Sequence, residues 1–303
     1  MVAGPTASGK TGLALALAGA LGGEIVNCDS LQCYRGLDIG SAKPTAAERG
    51  AIPHHLFDIL EPTETLTAGE YARRARPVLA EIAGRGRVPI VVGGAGFYLT
   101  ALIDGLVDAP GRDDAFRARA AAAEARRAGV LHRYLRRLDP AAGQKIAARD
   151  VKKVTRALEI SRHARRPLTQ VYDQPRVALE GFRVLKLALD PPRAELYAKI
   201  NRRAEEMFEG GFLDEARTLL TQYPKDAKAF ESHGYLEAVA VVRGEMALDA
   251  AIESTQIRTR HYAKRQWTWF RRDKEVLWLP GFGTDRTVVE NALEHARRFL
   301  TVS

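Results

Sequence analysis

The sequence predicts an α/β protein with a parallel sheet core, an all-helical insertion and a helical C-terminal part. Two observations predict this class. Short apolar runs alternate with helical periodicity over residues 1–110, and the sequence becomes rich in Ala and Arg with helical periodicity between about 111 and 174. Strands that alternate with helices pair in parallel, because each helix returns the chain to the same end of the sheet.

The elements of the core follow in order along the chain. An apolar helix is predicted from about Thr11 to Leu21, where a glycine pair ends it, and "EIVNCDS" then predicts a short strand. A helix near Gly69 to Ala83 leads into "PIVV", a buried strand that ends at a diglycine turn. "FRVLKLALD", from Phe182 to Asp190, predicts another strand.

The insertion separates two parts of this core. "RARAAAAEARRAGVLHRYLRRL" and "DVKKVTRALEISRHARRPL" have helical periodicity, so residues 111–174 are predicted as one helical domain. Residues 1–110 and 175–303 then form the core, and the chain from Pro192 onward is mainly helical with an interruption at Gly210 and Gly211.

Composition excludes several classes of protein. The chain has 303 residues, of which 46% are hydrophobic and 27% charged, as in an ordinary globular protein. No apolar run reaches the roughly 18 to 20 residues of a membrane helix, so we expect no membrane partner and a cytoplasmic location. Cys28 and Cys33, the only two cysteines, predict plain thiols and exclude a disulfide framework or a zinc finger.

A glycine-rich motif stands directly before the first helix. "GPTASGKT" fits G-x-x-x-x-G-K-[ST], which predicts a P-loop NTPase-like core in which backbone N–H groups surround phosphate oxygens. Lys10 adds a positive charge, and the Thr11 hydroxyl is a candidate ligand of Mg²⁺. The predicted diphosphate-binding residues are Gly4, Pro5, Thr6, Ala7, Ser8, Gly9, Lys10 and Thr11.

Asp29 ends the strand that follows this loop. The carboxyl edge of a parallel sheet collects reactive groups, and both Asp29 and Gly93 are predicted to lie there. The carboxylate of Asp29 is a candidate acidic metal partner for phosphoryl transfer, or a general base. The alternative is that "DS" only caps the next turn.

Basic residues are concentrated in two regions of a chain with a net charge of +9. "RTRHYAKRQWTWFRR", Arg258 to Arg272, interleaves Arg and Lys with aromatic residues, as surfaces for single-stranded nucleic acid do. An amphipathic helix with inward aromatic side chains explains this segment equally well. The insertion is also basic, and two basic regions in one chain favour a nucleic-acid partner.

Motifs spread over nearly the whole chain resemble one family. They are "GPTASGKT", "NCDSLQCYRGLDIGSAKP", "PHHLFDI", "GRVPIVVGGAGFYLTALIDGL", "RALEI", "LYAKINRRAEEMFEGGF" and "AKRQWTWFRR". The first is shared with many NTPases, whereas "DSLQCYRGLDIGSAKP" and "KRQWTWFR" are specific to the tRNA dimethylallyltransferases, also called isopentenyl-diphosphate:tRNA transferases. The sequence is identified as a member of that family.

The resemblance implies an activity. The P-loop would hold dimethylallyl diphosphate, with Mg²⁺ as cofactor, and the dimethylallyl group would move to N6 of adenosine 37 beside the tRNA anticodon. By motif position Asp29 is the general base, and Arg203, beside Arg202, helps to hold the diphosphate. With Lys10 and Thr11, these two residues form the predicted catalytic set.

The resemblance also implies a tRNA surface. Its predicted residues are Asp29, Ser30, Leu31, Gln32, Ala95, Lys152, Lys153, Val154, Thr155, Arg156, Lys264, Arg265, Gln266, Trp267, Thr268, Trp269, Phe270 and Arg271. Two departures from the family occur: Ala95 replaces a threonine, and "FESHGYLEA" differs from the usual "AIGYKE". His54 and His55 are assigned structural roles.

Three other functions are compatible with parts of the sequence. An adenylate isopentenyltransferase acting on free AMP, ADP or ATP would not need the basic insertion or "AKRQWTWFRR". A P-loop small-molecule kinase is permitted by the loop, but the rest of the chain does not support it. An RNA-binding protein with an inactive loop leaves the complete motif and Asp29 without a role. We expect the enzyme to be a monomer.

Overall fold

The computed structural model describes residues 1–50, 52–107, 109 and 111–301. The chain divides into two compact units. One contains residues 1–102 together with the chain from Gly181 onward, and the other spans Ile103–Glu180. The predicted helical insertion, 111–174, lies within the range of the second unit.

The core unit is built on a parallel sheet, which confirms the predicted α/β class. Its six strands, counted over the described residues, have the order β3-β2-β4-β1-β5-β6, and every neighbouring pair is parallel. The strands are β1 Val2–Ala3, β2 Gly23–Asn27, β3 His54–His55, β4 Val88–Val92, β5 Leu187–Asp190 and β6 Leu277–Pro280.

Helices follow most of the strands. In the first part of the chain they are α1 Lys10–Leu21, α2 Ala46–Arg49, α3 Ala68–Gly84 and α4 Gly96–Ile103. The second unit contains α5 Asp114–Arg126, α6 Val130–Leu138, α7 Pro140–Lys145, α8 Val151–Ala164 and α9 Leu168–Tyr172. The C-terminal part contains α10 Arg193–Glu209, α11 Phe212–Gln222, α12 Tyr235–Val242, α13 Leu248–Phe270 and α14 Arg286–Thr301.

Local sequence explains where several helices begin and end. The α1 helix ends at Gly22, whose positive φ of 62° suits a residue without a Cβ atom. A capping box starts α3, because the hydroxyl of Thr67 accepts from the backbone N–H of Glu70 and the carboxylate of Glu70 accepts from that of Thr67. The predicted break at Gly210 and Gly211 is confirmed, since these glycines separate α10 from α11.

Two strands differ from the prediction. The strand expected from Phe182 to Asp190 is shorter: only Leu187–Asp190 forms β5, whose four residues pair with β6 and the first two of them also with β1. A strand extends only where a neighbouring strand offers backbone groups for hydrogen bonding. The sequence of one segment does not show how long that neighbour is. The edge strand β6 was not predicted, since its four residues are few and end at Pro280.

The core unit contains two large clusters of buried apolar side chains. Apolar side chains of α1 and α14, such as Leu13, Leu17 and Val288, pack with Ile25 and Ile90 of the sheet. A second core joins the segment after β2 to helices α10, α11 and α12. Within the described residues, no helix is both long enough and apolar enough to cross a lipid bilayer.

The helical unit has its own core, with a buried carboxylate at one side. Glu159 of α8 has no exposed surface and accepts hydrogen bonds from the backbone of Asp113 (2.8 Å) and twice from Arg117 (2.9 Å each). Arg156 also donates to it. Burial acts to raise the pKa of Glu159, but these donors outweigh it and lower the pKa to about 2.

We expect the Glu159→Gln variant to remove part of the acid sensitivity of this unit. Because the folded pKa lies below the unfolded one, the ionised carboxylate stabilises the unit above pH ~4.3 and this contribution is lost as pH falls towards about 2. Urea unfolding, followed by hydrogen exchange of α8 peptides at pH 7 and pH 3, should show a smaller pH difference than in the wild type. Equal differences in the two proteins would contradict this account. Glu180→Gln, at an exposed site of the same unit, is the control.

Candidate active site

Three neighbouring strands bring the predicted site residues to one edge of the sheet. The strands β2, β4 and β1 are adjacent, and Asn27, Val92 and Val2 lie in one row. The P-loop follows β1, Asp29 follows β2 and the diglycine turn follows β4. The sequence therefore predicted this meeting point correctly, because the carboxyl ends of parallel strands share one edge.

The P-loop curls as its motif requires. Gly9 has φ of 87°, and a Cβ atom there would come within 3.0 Å of the backbone nitrogen of Gly283. The ammonium of Lys10 donates to the carbonyl of Pro5 at 2.8 Å, which folds its side chain back over the loop. The Ser8 hydroxyl is buried and has no hydrogen-bond partner within the described part of the chain.

A cavity of about 280 Å³ lies against this loop. Its lining includes Lys10, Thr11, Asp29, His54 and Arg203. The pKa of Lys10 is lowered to about 8. Burial is the largest cause, the carboxylate of Asp29 acts against it, and the charge of Arg203 adds to it. Two cations facing one carboxylate leave this cavity with a positive balance, which suits an anion such as a diphosphate.

Neighbouring residues hold the side chain of Asp29, and one of its two carboxylate oxygens accepts a hydrogen bond. Its Oδ1 accepts from the backbone of Leu31 at 2.9 Å, so the turn-capping alternative is correct for that oxygen. No hydrogen bond reaches Oδ2 among the residues that the structure describes. The side chain of buried Asn27 accepts from the backbone of Asp29 (2.9 Å) and donates to the carbonyl of Leu56 (3.1 Å), which holds this turn in place.

A second cavity, of about 190 Å³ and mainly apolar in its lining, adjoins the first. Both cavities are lined by Thr6, Ala7, Asp29, Ser41 and Arg203. Asp29 and Arg203 thus lie where the phosphate-binding cavity meets the apolar one. This juxtaposition of a charged compartment and an apolar one is the main chemical feature of the site.

Most of the apolar lining was not predicted from the sequence. Its unpredicted apolar residues are Ile200, Ala204 and Met207, and the same wall also carries Thr255, Thr259, Tyr262 and His233. The lining residues of α10 and Arg203 are spaced three or four residues apart, and so are the three lining residues of α13. This helical period was the signal in the sequence that could have identified one face of each helix as cavity wall. Burial, followed by the proximity of Asp29, raises the pKa of Tyr262, so its phenol remains neutral.

The structure distinguishes the two adjacent arginines of α10. Arg203 lines both cavities, and burial lowers its pKa against the attraction of Asp29. Arg202 is exposed and pairs with Glu206 one turn away, at 3.6 Å. Arg203 is therefore the arginine in a position to contact a diphosphate.

The helix α13 has an inner and an outer face, so both interpretations of "AKRQWTWFRR" hold for different residues. Gln266 is 4% exposed and accepts from the backbone of Thr6 (2.7 Å) while donating to the carbonyl of Gly94 (3.0 Å). Trp267 and Phe270 are also buried. These three side chains pack inside the core unit, so the prediction that these positions bind tRNA finds no exposed side chain here and stays a prediction.

The outer face of α13 carries the remaining predicted residues. They are Lys264, Arg265, Thr268, Trp269 and Arg271, all of them exposed. Among them, Arg265 donates to His233 and lies over the ring of Tyr262, with its guanidinium 5.5 Å from the ring centroid. The outer face is thus continuous with the wall of the apolar cavity.

Other predicted tRNA residues differ in accessibility. Ser30 and Leu31 line the apolar cavity, whereas Gln32 lines the phosphate-binding one and donates to the carbonyls of Ser41 and Ala42. Ala95 is half-buried, and its backbone donates to the carbonyl of Cys28 at 3.2 Å.

In the helical unit, Lys152 and Lys153 are exposed, while Thr155 and Arg156 are half-buried. Val154 is buried in the core of that unit, whereas its two lysine neighbours are accessible, and its role in tRNA binding stays a prediction.

The described side chains around the phosphate-binding cavity offer too few ligands for a metal ion by themselves, so a metal would also need oxygens from a bound substrate. No cluster of three His, Cys, Asp or Glu side chains suited to a metal is present in the described ranges. The Thr11 hydroxyl lines the phosphate-binding cavity, and Mg²⁺ commonly takes one or two protein ligands together with phosphate oxygens and water. The residues are therefore compatible with Mg²⁺ that binds together with a diphosphate.

The two histidines of β3 make contacts within the core unit, and His54 also lines the phosphate-binding cavity, so their structural role stays a prediction. His55 pairs with Glu24 at 2.7 Å, and Nδ1 of His54 donates to the carbonyl of Ile52 at 2.7 Å. Because Nδ1 is the donor, Nε2 of His54 carries no proton in the neutral ring. Burial lowers the pKa of His54, which favours that neutral form.

A P-loop α/β core with an apolar cavity beside its phosphate-binding cavity defines a group-transfer enzyme. Comparison with family models identifies which one: residues 32–273 match the IPP transferase model, and residues 1–54 match the isopentenyl transferase model. The chain belongs to the IPP transferase family, which confirms the resemblance seen in the sequence.

Individual relatives agree with this assignment. The chain is 53% identical over 300 residues to a tRNA dimethylallyltransferase of Solibacter usitatus, covering 99% of this chain and 98% of the relative. A second, from Koribacter versatilis, is 51% identical over 292 residues, covering 96% and 95%.

Solved structures are similar over the whole chain. The full-length tRNA isopentenylpyrophosphate transferase of Bacillus halodurans matches with 35% identity and a TM-score of 0.70, covering 99% of this chain and 94% of that one. A eukaryotic dimethylallyltransferase acting on tRNA matches with 26% identity and a TM-score of 0.85, covering 99% and 78%.

Proposed function

We propose that this enzyme transfers a dimethylallyl group from dimethylallyl diphosphate to N6 of adenosine 37 in a tRNA anticodon loop and releases diphosphate. The observation that carries the proposal is the position of Asp29 and Arg203 on the wall shared by a phosphate-binding cavity and an apolar one. The curated relatives are tRNA dimethylallyltransferases, which supports the same reaction.

The phosphate-binding cavity stabilises the leaving group. As the allylic C–O bond breaks, its electron pair goes to the diphosphate oxygen and positive charge develops on the allylic carbon. The P-loop N–H groups, Lys10 and Arg203 would take up the negative charge of the departing diphosphate. Mg²⁺ held by Thr11 and the diphosphate would supply further charge neutralisation.

The carboxylate of Asp29 acts on the acceptor. The lone pair of adenine N6 forms the new bond to the allylic carbon, and an N6 proton must leave the amine. Oδ2 of Asp29 is the free oxygen for that proton, since Oδ1 is occupied by the backbone of Leu31. The apolar lining of the adjoining cavity would hold the reacting carbon away from water.

The exposed basic residues suit the RNA. Lys264, Arg265 and Arg271 lie on the outer face of α13, next to the cavity wall, where they could contact phosphates. We propose that the enzyme is a monomer. We propose the cytoplasm as its location, because its substrate tRNA is there.

A label-transfer assay tests this function. The protein is incubated with Mg²⁺, radiolabelled dimethylallyl diphosphate and either unmodified tRNA containing A36-A37-A38 or AMP. We expect label in tRNA alone. Label in AMP alone would favour an adenylate isopentenyltransferase. In a parallel incubation with added ATP, consumption of ATP without label transfer would favour a small-molecule kinase. Light scattering of the protein measures its oligomeric state.

The two adjacent arginines provide a matched pair of variants. Arg203→Ala is expected to raise the KM for dimethylallyl diphosphate and to lower kcat, together about 10²-fold in kcat/KM, because a buried cation next to the leaving group is lost. Steady-state kinetics with Arg202→Ala as the control should show less than a twofold change. Equal losses in the two variants would contradict the assignment of Arg203.

A further inference from the structure

Phe97 and Trp269 form an exposed aromatic pair at the rim of the site. Phe97 is 53% exposed and Trp269 is 37% exposed, and both belong to the core unit. Their ring centroids lie 6.1 Å apart with the planes at 75°, an edge-to-face arrangement. The sequence pointed to Trp269 as part of an RNA surface, but not to Phe97.

Two glycine contacts hold this pair close to the reacting groups. Gln266 and Trp269 are three residues apart on α13, so their side chains are neighbours where the buried face meets the exposed one. Gln266 bonds to Gly94, and a Cβ atom on Gly96 would lie 2.2 Å from Cδ1 of Trp269. The indole therefore rests directly on the backbone at the start of α4, where only a residue without a side chain fits.

The same contacts connect the pair to the catalytic edge. Gln266 also accepts from the backbone of Thr6 in the P-loop, and the backbone of Ala95 donates to the carbonyl of Cys28, the residue before Asp29. Trp269 thus stands on α13, which is hydrogen-bonded to the P-loop through Gln266. Phe97 stands at the start of α4, where the preceding Ala95 is hydrogen-bonded to the Asp29 turn. The position of the pair relative to the acceptor site is fixed by rigid elements rather than by a loose loop.

Packing does not explain the exposure of these rings. Single exposed apolar residues are ordinary, but two large exposed rings in contact, on a segment that also carries exposed basic residues, are a common arrangement for binding unpaired bases. Lys264 and Arg265 on α13 and Arg271 directly after its last residue are exposed and give the surface its charge. Charge complementarity therefore favours a single-stranded polyanion with flat, apolar bases.

We propose that Phe97 and Trp269 together form a base-stacking site for a nucleotide next to the target adenosine. The proposal rests on the proposed function and adds to it. Two rings at a steep angle form a corner, in which a base stacks on one ring and meets the other with its edge. An anticodon loop from which one adenosine leaves its stack exposes the face of a neighbouring base, and this corner would cover that face.

The test measures binding of an anticodon stem-loop that carries 2-aminopurine at position 36 or 38. Wild-type protein is expected to quench the probe at one of these positions. Phe97→Ala and Phe97→Leu should each weaken binding about 5- to 150-fold, the range of stacking on one base, and reduce the quenching. Phe97→Tyr should keep both the affinity and the quenching of the wild type, because a phenol ring stacks on a base and a leucine side chain does not.

Salt dependence separates stacking from charge. Phe97→Ala should leave the slope of log Kd against log salt unchanged, whereas Lys264→Ala should reduce it by about one. Leu248→Ala is the matched control, since Leu248 is an exposed apolar residue on the same helix, roughly 30 Å along the axis from Trp269. Its affinity for the stem-loop should equal that of the wild type.

Two results would overturn the proposal: wild-type affinity of Phe97→Leu, or no quenching at either position. The KM for dimethylallyl diphosphate, measured with saturating tRNA, should stay within twofold of wild type in the Phe97 variants, which shows that the core unit is folded. If wild-type protein transfers label to tRNA and Phe97→Leu binds normally, only the stacking site fails. If wild-type protein transfers no label to tRNA, the proposed function itself fails.

Discussion

Replacement of Asp29 by asparagine is expected to lower kcat for prenyl transfer by about 10²- to 10⁴-fold, the usual contribution of a general base. The asparagine Oδ1 can still accept from the backbone of Leu31, so the turn that holds the side chain is retained. What is lost is the ability of the second oxygen to accept a proton. Single-turnover kinetics with saturating tRNA and dimethylallyl diphosphate measures this step directly.

The binding of both substrates should be largely unchanged in that variant. The carboxylate of Asp29 raises the pKa of Lys10, so its removal favours the neutral amine, and the assay is best run near pH 7. Glu209→Gln, exposed at the end of α10, is the control for loss of one negative charge. An Asp29→Asn rate equal to that of the wild type would eliminate Asp29 as the base.

Replacement of Lys10 by methionine is expected to lower kcat/KM for dimethylallyl diphosphate by about 10²- to 10³-fold, as the loss of one group that stabilises a developing anion commonly does. Methionine is similar in length, so the cavity keeps its size while the charge disappears. Calorimetry with inorganic diphosphate should show a parallel loss of affinity. Unchanged affinity and kcat/KM would show that the loop binds the anion through its backbone alone.

The pH dependence of the wild type follows from the same residue. Burial lowers the pKa of Lys10 to about 8 in the free protein, and a lysine loses its charge as the pH rises through its pKa. The contribution of Lys10 to diphosphate affinity should therefore be complete below about pH 7 and be lost between about pH 8 and 10, as the difference between wild type and Lys10→Arg measures. In Lys10→Arg the guanidinium stays charged throughout this range, and the fall in affinity should be much smaller.

Some features of this protein were decided by local sequence. The glycine pattern of "GPTASGKT" requires a curled loop, and the alternation of apolar strands with helices places that loop and Asp29 at the same edge of a parallel sheet. Those predictions succeeded because they depend on backbone conformation and on the period of apolar residues, which neighbouring residues determine.

Other features depended on the packing of distant segments. Val154 and Gln266 belong to basic segments that the sequence assigned entirely to RNA, yet both side chains are buried. Composition describes a segment, whereas burial depends on which side of a helix meets a neighbour. The shorter extent of β5 and the presence of the edge strand β6 were not predicted for the same reason, since a ladder forms only where a distant segment offers backbone partners.

The sequence by itself thus determined the class of fold, the family and the candidate base and cations. Only the tertiary structure decided that Arg203 rather than Arg202 enters the site, that α13 has a buried face fixed by Gln266, and that Phe97 meets Trp269 across Gly96. The physical reason is distance along the chain: motifs record contacts within a few residues, while these contacts join segments that become neighbours only when the core packs.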